Sequence, residues 1–495
     1  MTAAPSSAAA HPTEPGGTGG AGRVVGVLAL AGIVAALMQT LVVPLIGDLP
    51  KLLGTTASNA SWVITATLLA AAVATPVAGR LGDMYGKRRL LLALTVPLVA
   101  GSVLCAVSGS VAPMVAGRAL QGLGMGIVPL GISLLRDVLP PEKLGSSIAL
   151  MSASMGVGGA LGLPFSAAVA EHASWRVLFW VAGGFSLLVG VLIAVVVPDG
   201  KVAKAAAGRF DVLGAVGLGG GLVALLLAVS KGSVWGWGSA TTLGLFAVSA
   251  VALLGWGVWE LRTHDPLVDL RTTARPQVLM TNLASILVGF AMYAQSLVVP
   301  QLLQLPEATG YGLGQSMMAM GLWMAPAGLM MMALAPLGAK LTAARGPKVT
   351  LSVGSLVISV GYLSALALMG STWGLLVVTL ICNTGVGLAY GAMPSLIMGA
   401  VPLHETASAN SFNTLMRSIG SSVSAAVIGV VLAQLTTDFG GHALPSESGF
   451  RVALVIGGAV ALAAAAVAAL IPAHPKPVPA PAAERPATPT PEPAA

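Results

Sequence analysis

Long apolar stretches separated by short polar segments run from about residue 24 to residue 472. A helix that crosses ~30 Å of hydrocarbon needs ~20 predominantly apolar residues. Windows of that length predict fourteen transmembrane helices, near residues 24–47, 60–80, 88–109, 112–135, 146–170, 175–197, 211–230, 239–260, 277–303, 314–338, 348–369, 372–400, 405–435 and 450–472. Because the connections are short, they leave no room for an inserted catalytic domain. We therefore expect an all-α polytopic membrane protein.

Basic residues mark one set of the predicted loops. If both termini are cytoplasmic, 18 of the 24 Lys and Arg residues fall in inner loops and tails. Only Lys51, Arg176, Lys231 and Arg451 fall on the outer side. Cytoplasmic loops of membrane proteins carry such an excess of Lys and Arg. The pattern predicts a multi-pass protein of the plasma membrane with both ends inside the cell.

Composition excludes several other classes of protein. Charged residues make up 8% of the chain, against ~25% in a soluble domain. The net charge of +7 is dispersed between apolar stretches, so a nucleic-acid partner is not expected. Cys105 and Cys382 both lie in apolar stretches, which gives no disulfide framework. The chain has no HExxH and no P-loop, so we expect neither an enzyme nor an ATP-driven pump, and no cofactor or metal.

A ten-residue segment recurs in weaker form. GRLGDMYGKR at 79–88 resembles AKLTAARGPK at 339–348, and each follows the second helix of a possible six-helix half. Two parallel six-helix halves are a known transporter architecture. The expected division is a disordered cytoplasmic tail, an N-terminal half, a linker with two extra helices, a C-terminal half and a second disordered tail, at 1–22, 23–200, 201–275, 276–472 and 473–495.

The first copy of this segment is a candidate cytoplasmic gate. Its glycines, Gly79 and Gly86, permit a tight turn and a close helix approach. Asp83 can accept hydrogen bonds from a neighbouring helix N-terminus or pair with a cation. Lys87 and Arg88 complete the candidate gate, although both also fit a role in setting topology.

Two further motifs lie inside predicted spans. Arg118, in helix four, is a charge at membrane depth, which costs ~2.5–3.5 kcal/mol on insertion scales and marks a functional candidate. The alternative is that it snorkels to the outer interface. In helix five, Gly158, Gly162 and Pro164 predict a smooth, bent face against which a partner helix packs and moves.

These motifs resemble those of the major facilitator superfamily. GRLGDMYGKRR looks like its loop signature, GRALQGLGMG resembles its fourth-helix arginine motif, and the glycine-rich helix five resembles its antiporter motif. Residues 401–429 resemble helix thirteen of the fourteen-helix drug:proton antiporter branch. The resemblance implies a twelve-helix core with two linker helices that exports hydrophobic compounds against an inward flow of protons.

The chain departs from that branch at the position of its usual acid in helix one, where Met38 stands. In helix five, Leu163 stands where a proline is expected, and Ser166 and Ala167 replace a glycine pair. Asp48 and Glu171 are therefore the alternative coupling candidates, with Arg118 lowering the pKa of the carboxyl in one conformation. Each acid also fits a simpler role as a helix cap or an interfacial group.

Polar groups within the spans suggest a substrate cavity near the bilayer midplane. The cavity candidates are Gln39, Thr40, Gln121, Asn282, Gln295, Trp323, Asn383, Tyr390, Asn413 and Arg417, with Met125 and Met324 as adaptable apolar contacts. Any of them also fits a role in helix packing. The scarcity of acids within the spans argues against a strongly cationic substrate. Arg118 and Arg417 favour an anionic amphiphile over a neutral or zwitterionic one.

The expected function is proton-coupled export of small hydrophobic or amphiphilic molecules by a monomer in the bilayer. Import of a small solute by the same fold is the alternative, because fold and direction are separable. A more remote alternative is a membrane receptor that binds its ligand without transporting it.

Overall fold

The computed structural model describes residues 18–45, 48–198, 209–439 and 442–472. Most of the two predicted tails, at 1–17 and 473–495, and the linker residues 199–208 lie outside the described residues. The α-helices are α1 Thr18–Thr40, α2 Leu49–Leu52, α3 Ala57–Ala60, α4 Trp62–Tyr85, α5 Lys87–Val107, α6 Val111–Leu123, α7 Ile127–Val138, α8 Pro141–His172, α9 Arg176–Val196, α10 Val212–Trp235, α11 Ala240–Arg262, α12 Leu270–Thr273, α13 Pro276–Gln304, α14 Met317–Ala333, α15 Ala335–Arg345, α16 Pro347–Leu368, α17 Thr372–Ala400, α18 Thr406–Gln434 and α19 Glu447–Ala469. A hairpin of β1 Thr436–Phe439 and β2 His442–Pro445 joins α18 to α19.

Fourteen helical segments are long and apolar enough to cross a membrane, as the hydropathy pattern predicts. The fourth consists of α6 and α7, joined by a 3-10 turn at Gly124–Gly126. The tenth consists of α14 and α15. The structure is therefore an all-helical bundle apart from the small hairpin.

Several predicted helix ends differ from the structure by several residues, and two of them bear on the functional site. Helix one ends at Thr40 and not at the predicted residue 47, shortly before Pro44, and a proline has no N–H for the helical ladder. Helix two continues to Tyr85, so Asp83 lies in its last helical turn and not in a loop. The connection to α5 is reduced to Gly86, whose φ of 99° belongs to the left-handed region.

Each half of the bundle has its own apolar core. Leu28, Leu91 and Phe179 belong to a core built from helices α1 to α9, to which α17 and α18 add Met398 and Ala407. Ile358 and Phe450 belong to a core built from helices α13 to α19, to which α8 adds two alanines. The hinge of the repeated segment is also shared, since Gly346 ends α15 with a φ of 86° as Gly86 ends α4. These features support two related halves.

The halves meet along two seams. In the α4–α18 seam, a Cβ on Gly79 would lie 2.7 Å from the carbonyl oxygen of Ala407. In the α8–α14 seam, a Cβ on Gly328 would lie 2.2 Å from the carbonyl oxygen of Gly156. Glycine is therefore required for these backbone approaches, since any side chain would overlap the partner helix.

The two linker helices, α10 and α11, pack against each other, where the Ser249 hydroxyl donates to the Gly221 carbonyl over 2.9 Å. Helix α10 also packs on both members of the α4–α18 seam. Leu218 and Leu222 join Phe412 of α18 in a third apolar cluster. The linker pair therefore lies over that seam.

Candidate functional site

Asp83 connects the two halves at one end of the bundle, which we call the Asp83 end. Its two carboxylate oxygens accept hydrogen bonds from the backbone N–H groups of Ala407, at 3.1 Å, and Ser408, at 2.8 Å. These N–H groups belong to the first turn of α18, where they have no partner within the helix and the helix dipole favours negative charge. A carboxylate of the N-terminal half thus caps a helix of the C-terminal half.

Lys87 strengthens the same contact. Its ammonium lies 2.7 Å from an oxygen of Asp137 and donates to the Thr406 hydroxyl over 2.9 Å. It also donates to the backbone carbonyl of Ser133 over 3.3 Å. Because its side chain is 6% exposed, this ion pair is largely shielded from water and therefore less screened than a surface pair. Lys87 thereby ties α5 and α7 to the beginning of α18.

The five predicted gate residues do not all lie at this contact. Gly79 permits the approach of α4 to α18, and Gly86 forms the turn that places Lys87 directly after α4. Arg88 instead donates to the Ala194 carbonyl in α9 over 2.7 Å, within its own half. The structure therefore brings Gly79, Asp83 and Lys87 to the seam and directs Arg88 away from it.

Arg118 lies inside the N-terminal half, 2% exposed, and does not reach an interface. Its guanidinium donates to the Met38 carbonyl over 2.9 Å and to the Val63 carbonyl over 3.2 Å, so it joins α6 to α1 and α4. It also donates to the Gln121 side chain over 2.7 Å, and Gln121 donates to the Ser102 hydroxyl. At position 38, where the fourteen-helix branch usually has an acid, this chain therefore offers Arg118 the backbone carbonyl of Met38.

The structure does not place an acid beside Arg118 within the described residues. Asp48 is exposed, directly before the short helix α2, and is not among the hydrogen-bond partners of Arg118. The backbone of Glu171 lies in the last turn of α8, and its side chain lies outside what the structure describes. A coupling role for Asp48, Glu171 or Arg118 stays a prediction.

The glycines of the helix-five motif face α1. A Cβ on Gly158 would lie 2.2 Å from the Ile33 carbonyl oxygen, and a Cβ on Gly162 would lie 2.0 Å from the Thr40 hydroxyl. Pro164 packs on Gly321 of α14, where an added Cβ would lie 3.0 Å from the proline nitrogen. Helix α8 therefore contacts α1 with one part of its surface and the opposite half with another.

A narrow cavity lies between the halves near the Asp83 end. Its lining residues are Val128, Pro129, Ile132, Ser152, Met155, Tyr390, Pro394, Asn410, Asn413, Thr414 and Arg417. Its volume of about 10 Å³ is close to what one water molecule requires. Of the predicted cavity residues, Tyr390, Asn413 and Arg417 line it, and the Arg417 guanidinium lies 4.3 Å from the centre of the Tyr390 ring, a cation–π distance.

The other predicted cavity residues have partners elsewhere or lie outside this lining. Asn282 accepts from the Asn413 amide over 2.8 Å and so adjoins the cavity wall. Gln295 is buried, and its amide nitrogen has no hydrogen-bond partner. The others form hydrogen bonds within the protein away from this cavity. Their partners are the sulfur of Met125 for Gln39, the Leu37 carbonyl for Thr40, the Gln315 side chain for Trp323, the Thr379 carbonyl for Asn383, and Arg118 and Ser102 for Gln121.

Several residues of the site are not predicted from the sequence. Asp137 pairs with Lys87, and Ser133 and Asn410 connect the gate to the cavity: the Asn410 amide donates to the Ser133 hydroxyl over 3.1 Å, and that hydroxyl lies 3.0 Å from the Thr406 carbonyl oxygen. Asp137 could have been predicted, because it is an acid at the end of a predicted span on the same side of the membrane as the basic loop that contains Lys87. Serine and asparagine inside a helix gave no comparable signal.

Two buried carboxylates hold the linker helices at the Asp83 end. Asp211 caps α10 by accepting from the Gly214 N–H over 2.8 Å, and it also accepts from the Trp259 indole over 3.1 Å. Glu260 accepts from the Trp256 indole over 2.9 Å and from the Leu267 N–H over 3.1 Å. Both acids therefore serve the internal structure of the linker.

Known proteins resemble most of the chain. An "Uncharacterized MFS-type transporter Rv1877" of Mycobacterium tuberculosis is 30% identical over 422 residues, 84% of this chain and 60% of that protein. The "Tetracenomycin C resistance and export protein" of Streptomyces glaucescens is 28% identical over 396 residues, 77% of this chain and 70% of that protein. This chain thus spans somewhat less than two thirds of the first relative's length.

Solved structures show the same fold. The crystal structure of the human organic anion transporter MFSD10 (TETRAN) aligns with 90% of this chain and 99% of its own, with a TM-score of 0.63 and 16% identity. The family profile described as Major Facilitator Superfamily matches residues 28–425. Together with the fourteen spans among the described residues, these findings show that the chain is a multi-pass membrane protein and that it belongs to the major facilitator superfamily.

Proposed function

We propose that this protein is a secondary active exporter of hydrophobic or amphiphilic small molecules, driven by an inward proton gradient. The observation that carries the proposal is the polar lock at the Asp83 end. Two N–H···carboxylate bonds and the hydrogen bond from Lys87 to the Thr406 hydroxyl join the halves there, and none of these contacts is covalent. Such contacts can form and break in each cycle as one half rocks against the other.

The closed state that the structure presents fits one step of that cycle. The lock is formed, and the cavity behind it has room for about one water molecule. Opening the lock would separate α4 from α18 and widen the cavity from the Asp83 end. A solute would then bind between the halves, and closing the lock would commit it to the opposite side.

The charge pattern supports an orientation in which the Asp83 end faces the cytoplasm of the cell, with the protein in the plasma membrane and both termini inside. Basic residues concentrate in the loops on that side. An exporter with this orientation takes its substrate at the cavity beside the lock. It needs no cofactor, since the proton gradient supplies the energy, and the proposed unit is a monomer.

The name of one relative supports export as the direction. The tetracenomycin C resistance and export protein shares 28% identity over 77% of this chain. An export role for the present chain agrees with the cavity, whose walls combine apolar and polar side chains. Aromatic or otherwise amphiphilic molecules are the substrates that such walls would accept.

Transport by inside-out vesicles tests the proposal. With an acidified vesicle interior, an exporter of this orientation accumulates its substrates, and collapsing the pH gradient with an ionophore abolishes the accumulation. Vesicles that contain an Asp83→Asn variant serve as the comparison. Accumulation that instead requires right-side-out vesicles would establish import, and binding without flux would establish a receptor.

The coupling site is tested in the same vesicles. We propose that Asp48 or Glu171 exchanges the proton, with Arg118 as the charge that responds to it. Asp48→Asn and Glu171→Gln should each be compared with wild type for proton release on addition of substrate. Unaltered release in both variants contradicts this assignment and leaves the direction of transport untouched.

A further inference from the structure

We propose that the cavity is the binding site for the acidic group of an organic anion, with Arg417 as the counter-charge and the Ser152 hydroxyl as a second donor. The protein would then export amphiphilic organic anions in preference to cations. This inference rests on the proposed export function, because it names the substrate class of that transporter.

Arg417 is the one charged side chain among the described residues that line the cavity. Within the described chain its guanidinium makes a cation–π contact with Tyr390, at 4.3 Å, and neither a hydrogen bond to protein nor an ion pair. A guanidinium has five N–H donors in a planar fork that matches a carboxylate or sulfonate. Its donors are thus available to a ligand, while Tyr390 fixes its position.

Two other lining groups also lack a partner. Ser152 is 2% exposed, and its hydroxyl makes no hydrogen bond in the structure. Asn410 is 3% exposed, and its side-chain carbonyl oxygen likewise has no partner. Buried polar atoms are almost always hydrogen-bonded, so these two groups are available to a molecule that enters the cavity. A hydroxyl donor and a free carbonyl acceptor fit an acidic group that carries a neighbouring O–H.

The orientation of Asn410 follows from its other contact. Its amide nitrogen donates to the Ser133 hydroxyl over 3.1 Å, and the Ser133 hydroxyl has carbonyl acceptors for its own proton at Pro129 and Thr406. The Ser133 oxygen can therefore only accept from Asn410. This leaves the Asn410 carbonyl oxygen, on a residue that lines the cavity, as an acceptor without a partner.

The charges around the cavity disfavour a cationic ligand. The buried acids of the described chain lie elsewhere: Asp83 caps α18, and Asp211 and Glu260 bond within the linker. A cation in the cavity would meet Arg417 without a compensating carboxylate, which is costly in an environment of low dielectric constant. An anion meets the positive charge of Arg417 and the hydroxyl donor of Ser152.

The cavity also has an apolar wall and a connection to the lock. Val128, Ile132 and Met155 provide contacts for a hydrophobic ligand body, and methionine adapts to different shapes. Asn410 lies one helical turn from Thr406, which Lys87 holds in the closed state. The contracted cavity in the closed lock admits about one water molecule, so the ligand binds when the lock opens.

Charge-matched probes test the inference in inside-out vesicles with an acidified interior. The probes are the sulfonates and the trimethylammonium derivatives of naphthalene, anthracene and pyrene, whose fixed charges prevent passive crossing. We expect the sulfonates to accumulate and their ammonium counterparts to accumulate at least tenfold less. In Arg417→Gln the KM for the sulfonates should rise on the order of tenfold to a hundredfold, since a hydrogen-bonded charge partner is lost.

Three further variants separate binding from folding. Arg417→Lys keeps the charge and should retain most of the preference for sulfonates. Ser152→Ala removes a hydroxyl that has no partner in the protein and should raise the KM for the sulfonates several-fold without loss of expression. Arg451→Gln, the same substitution at an exposed residue in a surface ion pair, should leave transport unchanged.

Each result decides between the two proposals. Equal accumulation of the ammonium probes, or a sulfonate KM in Arg417→Gln and Ser152→Ala equal to that of wild type, overturns the anion site while export stands. Absence of accumulation for all six probes in wild-type vesicles overturns the export function itself. Preference for sulfonates that is lost in Arg417→Gln and kept in Arg417→Lys supports both.

Discussion

At Asp83, one short side chain receives two backbone N–H groups from the opposite half of the molecule. The geometry depends on the neighbouring glycine, because a side chain at Gly79 would push α18 away. It depends equally on charge, since hydrogen bonds to a charged group are worth ~1.5–3 kcal/mol and those between neutral groups ~0.5–1.5 kcal/mol. The stability of the closed lock therefore depends on both carboxylate oxygens of Asp83, each of which accepts one N–H group.

Asp83→Asn should shift the molecule toward the state that is open at the Asp83 end. The neutral amide retains at most one acceptor for the two N–H groups, and a loss of about 1.4 kcal/mol corresponds to a tenfold change in the closed-to-open ratio. A cysteine at Thr414, in the cavity wall, reports on the opening through a membrane-impermeant maleimide added to inside-out vesicles. We expect labelling to be about tenfold faster than in a protein with Asp83 intact.

The reporter requires a quiet background, which Cys105 and Cys382 provide because both are fully buried. Glu142→Gln, at an exposed position near the same end, removes a negative charge without touching the lock. It should leave the labelling rate unchanged. Equal rates for Asp83→Asn and Glu142→Gln would mean that Asp83 does not hold the closed state.

At the scale of elements, α8 is a helix whose two neighbours sit at backbone contact. Gly158 lies against the Ile33 carbonyl of α1, and Gly156 lies against Gly328 of α14. Close approach of small residues replaces the hydrophobic effect as a source of helix association in lipid. Adjacent glycines of α8 differ sharply in this respect, since a Cβ on Gly159 would meet nothing within 4 Å.

This difference predicts opposite outcomes for two neighbouring substitutions. Gly158→Ala places a methyl group 2.2 Å from a backbone oxygen, so α1 and α8 must separate, and we expect a loss of ~1–3 kcal/mol as in other overpacked sites. Gly159→Ala should be neutral or slightly stabilising, because alanine is the better helix former. Thermal unfolding of the two purified variants, side by side in one detergent, measures the contrast; equal melting temperatures would refute the packing assignment.

The sequence predicted elements better than it predicted their contacts. Apolar length alone located fourteen spans, because lipid imposes that length on any helix. Asp83 stood out as an acid between glycines beside a basic loop. Asp137, Ser133 and Ser152 did not, because their partners lie on helices distant in the chain, and a serine in an apolar helix most often bonds to its own backbone. The sequence predicts that Arg88 belongs to the gate because it follows Lys87. Successive residues of a helix point about 100° apart, however, and Arg88 contacts α9 instead.

At the scale of the whole molecule, the two halves touch along seams that the proposed transport cycle opens alternately. Ala149 of α8 and Gly391 of α17 face each other across the halves near the Asp83 end, and a Cβ on Gly391 would lie 3.3 Å from the Ala149 Cβ. Disulfides have Cβ separations of ~3.5–4.5 Å, so a small relaxation accommodates a bond between cysteines at these positions.

The double variant Ala149→Cys with Gly391→Cys should be arrested after oxidation. The disulfide would hold the halves together at the Asp83 end, so transport in inside-out vesicles should fall at least tenfold and recover on reduction with dithiothreitol. Each single variant should transport at the same rate before and after oxidation. Full transport by the cross-linked protein would show that the halves need not separate there.

The linker helices make the molecule asymmetric about the axis that relates its halves. Helix α10 covers the α4–α18 seam, with Ser230 near Thr65 at one end and Leu218 near Phe412 toward the other. Neither linker helix packs on α8 or α14 in the described chain, where α17 contacts both helices of that seam instead. We expect a solute already dissolved in the bilayer to enter between the halves from the flank that lacks the linker helices. Lipid-soluble solutes would then be captured at a rate set by two-dimensional diffusion to that single flank.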